Sequence, residues 1–234
     1  VVDQYDQCLD TEKGTEVNSV GCSDEDFDYD NDGVINIDDN CPNTPPGTSV
    51  NDYGCSLVKL DENGITLKAT FYALDYIGEV VLYEGDIVMI VRDWDQIKSL
   101  GPSTFGKDLK LVTSFIEETR ELCSLPCKIS DNFDMSTWDM SGVKSMYFTF
   151  WNTNGFNQDL SKWDVSGVQS MEGIFFHAYN MNVDLSGWDV SNVKNMKMMF
   201  RGALYANPDV SQWDVSQVRD MKEMFLGTDI AQDL

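Results

Sequence analysis

"FNQDLSKWDVSGVQSMEGIF", residues 156–175, is the stretch that decides the fold of this chain of 234 residues. Its tryptophan recurs every 25 residues, and each copy is followed by an aspartate, by a methionine eight residues after the tryptophan, and by a phenylalanine four residues later. The positions are Trp138, Trp163, Trp188 and Trp213; Asp139, Asp164, Asp189 and Asp214; Met146, Met171, Met196 and Met221; and Phe150, Phe175, Phe200 and Phe225. This period predicts stacked units that bury their apolar faces against one another.

Each unit combines two local patterns. "DLSKWDVS" (159–166) is typical of a strand and a bend, whereas Val168, Met171, Ile174 and Phe175 are spaced like one face of a helix. Two residues before this stripe stand serines whose hydroxyls are placed to cap a helix, at Ser141, Ser166, Ser191 and Ser216. We therefore predict a leucine-rich-repeat-like, right-handed solenoid with one short strand and one short helix per coil, and a core of Trp, Met and Phe.

Two polar rows accompany the apolar ones. The aspartates after each tryptophan either accept hydrogen bonds from the backbone of the next coil or line a face that binds cations or glycans. Lys144, Lys194 and Arg219 form a second row, interrupted by Gln169, and such a row is usually a solvated face.

The two ends of the repeat region differ. "VTSFIEETRELC" (112–123) overlays the repeat as a degenerate first copy, with Thr119 at the methionine position and Cys123 at the phenylalanine position. We expect Cys123 and Cys127 to form a local disulfide there, with a free pair as the alternative. At the other end the sequence stops at Leu234 without a polar cap, so we expect further repeats or a docking surface.

Residues 58–111 have a different pattern. "GITLKATF", "GEVVLYEG" and "DIVMIVRD" are short β-branched or aromatic runs bounded by Gly, Asn and Asp, which predict strands. "DWDQIKSLG" predicts a short helix that ends at Gly101. We interpret this region as a small α+β capping domain ahead of the repeat region, residues 112–234.

Charge and cysteine content restrict the function. The formal net charge is -24, from 40 acidic and 16 basic residues, so nucleic acid and anionic lipid are poor partners, we expect no nucleic-acid binding, and cations are favoured. No apolar run is long enough to span a bilayer, so we expect no membrane insertion. The six cysteines include two pairs of equal separation, Cys8 with Cys22 and Cys41 with Cys55, which predicts disulfides and secretion. The chain begins with Val1, which suggests a piece of a longer protein.

Residues 28–41, "DYDNDGVINIDDNC", match the positions of a calcium loop. Side-chain oxygens fall at positions 1, 3, 5, 9 and 12, a backbone carbonyl at position 7, and a glycine, Gly33, at the sharp turn. These ligands are Asp28, Asp30, Asp32, Asn36 and Asp39, with the carbonyl of Val34. The alternative is a solvated acidic linker, which is the usual explanation for a run of charges.

"DYDNDGVINIDDNCPNTPPGTSVNDYGC" (28–55) resembles a bacterial thrombospondin type 3 repeat. The resemblance implies Ca²⁺ at the six residues above and a disulfide between Cys41 and Cys55, although position 9 is commonly Asp in that family and is Asn36 here. "DQYDQCLDTEKGTEVNSVGC" (3–22) is similar to the second half of a preceding copy, with Asp3 and Asp6 as a half-site and Cys8 and Cys22 as the cysteines. Residues 1–57 are thus predicted to be a calcium-binding stalk.

"FNQDLSKWDVSGVQSMEGIF" and "NVDLSGWDVSNVKNMKMMF" (182–200) resemble BspA-like bacterial surface proteins, and the likeness covers residues 112–234. Members are mostly at the cell surface or secreted, and adhesion is the usual inference for them; the family supplies no catalytic residues. His177 is the only histidine, and no catalytic motif occurs, so we expect no enzymatic activity.

Together these features predict an α+β surface protein. In it, a calcium-stiffened stalk presents the solenoid to a protein or glycan. The alternative is a structural subunit that assembles with copies of itself into a filament or surface layer.

Overall fold

The structure is a computed structural model that describes residues 16–17, 22–23, 27–62, 64–100, 109–121, 134–181 and 183–229. Five residues predicted to bind calcium or form disulfides lie outside these ranges: Asp3, Asp6, Cys8, Cys123 and Cys127. The described strands and helices are β1 (Val58–Leu60), β2 (Leu67–Ala69), a 3-10 helix (Phe71–Tyr76), β3 (Val80–Tyr83), β4 (Asp86–Ile90), α1 (Trp94–Leu100), β5 (Leu109–Val112), β6 (Glu118–Arg120) and β7 (Ser145–Tyr147). These small sheets with few helices agree with an α+β class.

The capping region contains a three-stranded sheet in the order β3–β4–β5 and a two-stranded sheet of β1 and β2. β3 and β4 form an antiparallel hairpin across Glu84 and Gly85, whose φ angles of 50° and 83° suit a two-residue turn. β4 and β5 are parallel, and α1 lies in the connection between them. The strands predicted from the three quoted segments are confirmed as β2, β3 and β4, and the predicted helix is α1.

The segment before β1 covers the open edge of β3. The amide of Ser49 donates to the carbonyl of Leu82 at 2.7 Å, and the amide of Gly85 donates to the carbonyl of Gly47 at 3.0 Å. An edge strand paired in this way no longer offers free backbone groups to another chain. The acidic loop that precedes this segment is therefore tied to the capping sheet.

Successive repeats pair side by side through their backbones. Isolated parallel bridges join Ser145 to Ser170, Ser170 to Asn195, and Asn195 to Asp220, always one repeat apart. From the second repeat to the third, the amides of Met171, Gly173, Phe175 and His177 donate to the carbonyls of Asn195, Lys197, Met199 and Arg201 at 2.8–2.9 Å. Alternate residues thus form a parallel ladder between repeats.

The predicted short helix in each repeat is wrong. Within residues 134–181 and 183–229 the structure has no α-helix, and residues 172–177 form consecutive turns. Gly173 and His177 both have positive φ, and the same two positions are left-handed in the next repeat, at Met198 and Gly202. Left-handed residues interrupt a right-handed helix, and the amides that a helix would use internally donate to the neighbouring repeat instead. The serines predicted as helix caps accordingly have no helix to cap.

The predicted core is confirmed even though the helix is not. Val168, Met171, Ile174 and Phe175 are all fully buried. The phenylalanine rings stack from repeat to repeat, with centroids 5.6 Å apart between Phe150 and Phe175 and 5.7 Å between Phe175 and Phe200. Spacing at i, i+3, i+6 and i+7 selects a buried face in a chain of turns as well as in a helix, so the burial pattern alone could not distinguish them.

One apolar core joins the capping region to the repeats. Trp94 of α1 contacts Trp138 edge to face at 6.0 Å, and the same cluster of buried side chains continues to Met224. β6 and β7 are parallel, with Thr119 opposite Met146, which is the register expected if the degenerate copy overlays the repeat. Among the helices that the structure describes, none combines the length and the apolar character needed to cross a bilayer.

Candidate metal centre and the surfaces of the repeats

The acidic loop brings three carboxylates together. Asp28, Asp30 and Asp32 each offer an oxygen, and these oxygens lie within 4.8 Å of one another. The chain turns back sharply at Gly33, whose φ of 98° is unfavourable for a residue with a side chain. The spacing Asp-x-Asp-x-Asp-Gly therefore places its alternate side chains on the inside of a tight turn, as predicted for residues 28–33.

Backbone amides fix the orientation of these carboxylates. Gly33 donates to Asp28 Oδ2 at 2.8 Å, Val34 donates to Asp32 Oδ1 at 2.9 Å, and Thr44 donates to Asp30 Oδ2 at 2.6 Å. The opposite oxygens, Asp30 Oδ1 and Asp32 Oδ2, are buried and have no hydrogen-bond partner among the described residues. Buried carboxylate oxygens without a partner are costly, and a bound cation would satisfy them.

The other predicted ligands border the loop in different ways. Asn36 Oδ1 accepts a hydrogen bond from the amide of Tyr29 at 3.0 Å, and Asp39 Oδ1 accepts one from Cys41 at 2.7 Å. Asp39 and Asp32 both adjoin Gly54, where an added Cβ would lie 2.1 Å from Asp39 Oδ1 and 3.1 Å from Asp32 Oδ2. Asp39 is thus near the cluster, whereas the Oδ1 of Asn36 is engaged in closing the loop.

The electrostatics of the loop are those of an uncompensated acidic site. Burial raises the pKa of Asp32, and the neighbouring carboxylates of Asp30, Asp39 and Asp28 raise it further, against the opposing hydrogen bond from Val34. Like charges held together disfavour ionisation, and a divalent cation among them would reverse that effect. The oxygen donors present suit a hard cation such as Ca²⁺.

A disulfide closes the segment that follows. Cys41 and Cys55 are bonded, with Cα atoms 5.1 Å apart, in agreement with the pairing that the resemblance implies. Cys22 is also disulfide-bonded, and the predicted partner, Cys8, lies outside the described residues. Sequence reasoning missed Thr44, whose hydroxyl donates to the carbonyl of Gly54 at 2.7 Å while its amide holds Asp30. Thr44 therefore links the acidic loop to the disulfide-closed segment.

Among the described residues, the aspartates after the tryptophans accept no hydrogen bonds from the backbone of the next coil, so that expectation is wrong. Asp164 Oδ1 accepts bonds from the amide and the hydroxyl of Ser166, two residues later, at 3.1 and 2.6 Å. Asp139 makes the same pair of bonds with Ser141. An aspartate side chain that bonds two residues ahead stabilises a local turn. These aspartates and serines therefore shape each bend.

A second row of aspartates was missed. Asp159, Asp184 and Asp209 accept bonds from the amides of the serines two residues later, at 3.0–3.1 Å. The sequence signal was present, because Asp-x-Ser occurs twice in each repeat, five residues apart, as in "DLSKWDVS".

The Lys144 row is solvent-exposed, as predicted, and Lys194 Nζ donates to Gln169 Oε1 at 3.1 Å.

The serine hydroxyls hold the pKa of several of these aspartates down. For Asp159 the largest cause of the lowered pKa is the side-chain hydrogen bond from Ser161, followed by its amide. For Asp214 the amide of Ser216 is the larger cause and the hydroxyl the smaller. A lowered pKa stabilises the folded state above the usual aspartate range, and that contribution is lost as the pH falls through the lowered value.

We expect the Ser161→Ala substitution to raise the pKa of Asp159 towards its ordinary value, because it removes the hydroxyl that contributes most. The matched change Ser216→Ala should raise the pKa of Asp214 less, since the main donor there is an amide that alanine keeps. Titration of the carboxyl carbons by NMR measures both values. An Asp159 pKa that does not change in Ser161→Ala would contradict this assignment.

One surface of the repeats carries a cluster of rings that the sequence reasoning did not single out. We name it the aromatic face and define it as Tyr147, Phe148, Trp151, Phe176, His177 and Tyr179. The rings form a chain of contacts, for example 5.4 Å between the centroids of Phe148 and Phe176 and 4.3 Å between those of Phe176 and His177. Tyr147 is 45% exposed, and the other five are partly exposed. Burial lowers the pKa of His177, and the nearby charge of Arg201 lowers it further.

Comparisons with known proteins give one match. Neither the curated proteins nor the solved structures contain a match to the chain. Residues 123–234 match the family described as "Mycoplasma protein of unknown function, DUF285", a surface-protein repeat family, and this match is consistent with a cell-surface protein.

Proposed function

We propose that this protein is a non-enzymatic, secreted cell-surface module in which the stacked repeats form a recognition solenoid. The observation that carries the proposal is the contrast between buried and exposed positions of the repeats. The stacked column Phe150, Phe175, Phe200 and Phe225 is identical in every copy. The more exposed column of Trp151, Phe176, Arg201 and Leu226 differs in every copy. A constant core with a variable surface is the arrangement that repeat proteins use to bind partners.

The acidic loop supplies the second part of the proposal, a calcium-rigidified stalk. Asp28, Asp30 and Asp32 would hold the ion, with Asp39 beside them, and Ca²⁺ would supply the positive charge that their partnerless oxygens lack. The loop reaches the capping sheet through Thr44 and the segment paired with β3. Ordering of the loop would therefore stiffen the connection to the repeats. The thrombospondin type 3 resemblance of this region stays a prediction.

The arrangement around His177 supports a non-catalytic function. Its ring stacks on Phe176, and the charge of Arg201 disfavours its protonated form. Packing within the aromatic face therefore accounts for this histidine without a catalytic role.

We expect Ca²⁺ to bind the intact chain and to protect residues 27–57 from proteolysis. At a free concentration of 100 times the dissociation constant, one site would stabilise the state that binds it by about 2.7 kcal/mol. Isothermal titration calorimetry, with limited proteolysis in Ca²⁺ or chelator, measures both effects. The repeats should keep their fold in chelator, because their core does not include the loop.

The variants Asp32→Asn and Asp38→Asn form a matched pair for this experiment. Asp32 lies in the cluster and Asp38 is exposed beside it, so the same loss of charge should abolish calcium binding in the first and leave it nearly unchanged in the second. Equal losses in both variants would mean that overall negative charge, and not a site, attracts the ion. Proteolysis of residues 27–57 that is the same with and without Ca²⁺ would end the calcium proposal.

Binding of the isolated chain to cell surfaces tests the adhesive function. A soluble monomer that binds cells through residues 112–234 would support the proposal. Ordered self-association without binding to any cell surface, observed by analytical ultracentrifugation, would favour a structural filament or surface layer instead.

A further inference from the structure

The stacking of the repeats does not require the aromatic face. Phe148 occupies a column that also contains Gly173, Met198 and Glu223, and all four have positive φ, between 51° and 61°. The same left-handed backbone therefore accommodates a phenylalanine, a glycine, a methionine or a glutamate at this position, so the repeat does not need an aromatic ring here. Left-handed backbone is unfavourable for a bulky side chain, and such strain tends to concentrate where a protein binds something.

The rings are held in place before any ligand arrives. Phe148 lies directly over Gly173, where an added Cβ would come within 2.7 Å of its ring, and His177 lies over Gly202, where the distance would be 2.2 Å. Each of these rings therefore packs against the backbone of the next repeat. Trp151 adds an edge-to-face contact with Phe148, with centroids 6.4 Å apart. Rings fixed in this way lose little side-chain entropy on binding.

Two ion pairs lie beside the rings. Lys197 binds Glu172 at 3.0 Å, and Arg201 binds Glu223 while its guanidinium lies 5.7 Å from the centre of the Phe176 ring. These two pairs leave no net positive charge, and Glu121, whose amide donates to the carbonyl of Tyr147 at 3.3 Å, adds a carboxylate beside them. An anionic ligand would be repelled by this carboxylate and by the net charge of -24 on the chain, so a neutral ligand is favoured.

Amides adjoin the rings and need hydrogen-bonding partners. Asn154 pairs with Tyr179 through a parallel bridge, and Asn180 Nδ2 donates to Asn154 Oδ1 at 3.1 Å. An apolar protein surface would cover these amides without replacing their bonds to water, which is unfavourable. A ligand with hydroxyl groups at its edges and C–H groups on its faces would replace those bonds and also cover the rings.

We propose that the aromatic face binds a neutral oligosaccharide. The C–H faces of the sugar rings would stack on Tyr147, Phe148 and Trp151, and hydroxyls would bond the amides of Asn154 and Asn180. The ligand would extend across the first and second copies of the repeat, where the rings concentrate. This inference rests on the proposed adhesive function and assigns the site and the ligand class within it.

The test uses variants that the repeats themselves supply. The substitutions Phe148→Met and Trp151→Leu introduce the residues found at the equivalent positions of later repeats, Met198 and Leu226. The double variant therefore lacks both rings but carries side chains that the repeat backbone already accommodates. The control is Phe71→Met, because Phe71 is 81% exposed on the 3-10 helix of the capping region and is not part of the aromatic face. Equal thermal midpoints of the three proteins would show that the variants are folded.

Native electrophoresis in gels that contain mannan, dextran or galactan measures the binding of the intact chain. We expect at least one of these neutral polysaccharides to retard both the native chain and the Phe71→Met variant. The association constant of the double variant for that polysaccharide should be at least tenfold lower. Equal retardation of the double variant would overturn the site. If no polysaccharide retards the native chain but the chain still binds cells, the proposed oligosaccharide ligand is wrong and the proposed adhesive function is retained. If the double variant then loses cell binding, the aromatic face binds a protein partner instead. A chain that binds neither would overturn both proposals.

Discussion

Trp188→Ala is expected to lower the free energy of unfolding of the repeats by roughly 3–5 kcal/mol. The indole is 3% exposed, lies parallel to Trp163 with centroids 6.5 Å apart, and contacts Phe175 at 6.4 Å. Its Nε1 also donates to the carbonyl of Leu160 in the preceding repeat, at 3.1 Å. The substitution would therefore leave a cavity between two repeats and a buried carbonyl without its donor.

Trp188→Phe separates these two contributions. Phenylalanine keeps most of the ring packing but has no N–H, so we expect a loss of about 1–3 kcal/mol from the unsatisfied carbonyl of Leu160 together with a small packing defect. Trp151→Ala is the matched control on the surface, because Trp151 is partly exposed and should cost much less. Urea unfolding followed by fluorescence, with hydrogen exchange of residues 160–213, measures the changes. A cost below about 1 kcal/mol for Trp188→Ala would show that this column does not carry the core.

The same hydrogen bond explains why the tryptophan recurs in the repeat. Trp163 donates to Met135, Trp188 to Leu160 and Trp213 to Leu185, always 28 residues back, at 2.9–3.1 Å. Another large apolar side chain would fill the space but would leave a carbonyl of the preceding repeat unpaired. The spacing of 25 residues was enough to predict stacking, because apolar side chains in a fixed register must face one another.

The local conformation of each repeat could not be predicted in the same way. The stripe of Val168, Met171, Ile174 and Phe175 gives the buried face but not the direction of the backbone amides, and that direction depends on the left-handed residues. Gly173 is a recognisable candidate for such a residue, whereas Met198 is not, since a methionine rarely adopts positive φ. The neighbouring repeat imposes the conformation by accepting the amide hydrogen bonds, and this contact is not a local property of the sequence.

The candidate metal centre was the more predictable site. Its ligands lie within twelve residues, and local spacing determines which side chains meet. The link from Asp30 to Thr44 spans 14 residues and depends on the closure of the disulfide segment, so spacing gave no sign of it. The aromatic face could not be predicted from the sequence for a different reason. Its residues come from columns that vary between copies, whereas only the columns that do not vary define the repeat in the sequence.

Gly202→Ala is expected to destabilise the repeats by about 2–4 kcal/mol, through two separate effects. The φ of Gly202 is 68°, which is unfavourable for alanine, and the new Cβ would lie 2.2 Å from the ring of His177. Because the ring rests on the backbone at this point, it would have to leave its position against Phe176. The repeats would then lose packing in addition to the backbone penalty. Thermal and urea unfolding of the intact chain measure the total.

Gly227→Ala, one repeat further along the same column, isolates the backbone penalty. Its φ is 75°, but the nearest atom to an added Cβ is the Cα of Gly202 at 3.8 Å, so no ring obstructs it, and we expect a cost of about 1 kcal/mol. The single variant His177→Ala already lacks the obstructing ring, so in that background Gly202→Ala should cost about as much as Gly227→Ala does in the native chain. If Gly202→Ala costs as much in the His177→Ala background as it does in the native chain, the ring does not rest on this glycine. Gly202 would then be required only for its φ, and Gly173 alone of these two glycines would hold a ring of the aromatic face against the next repeat.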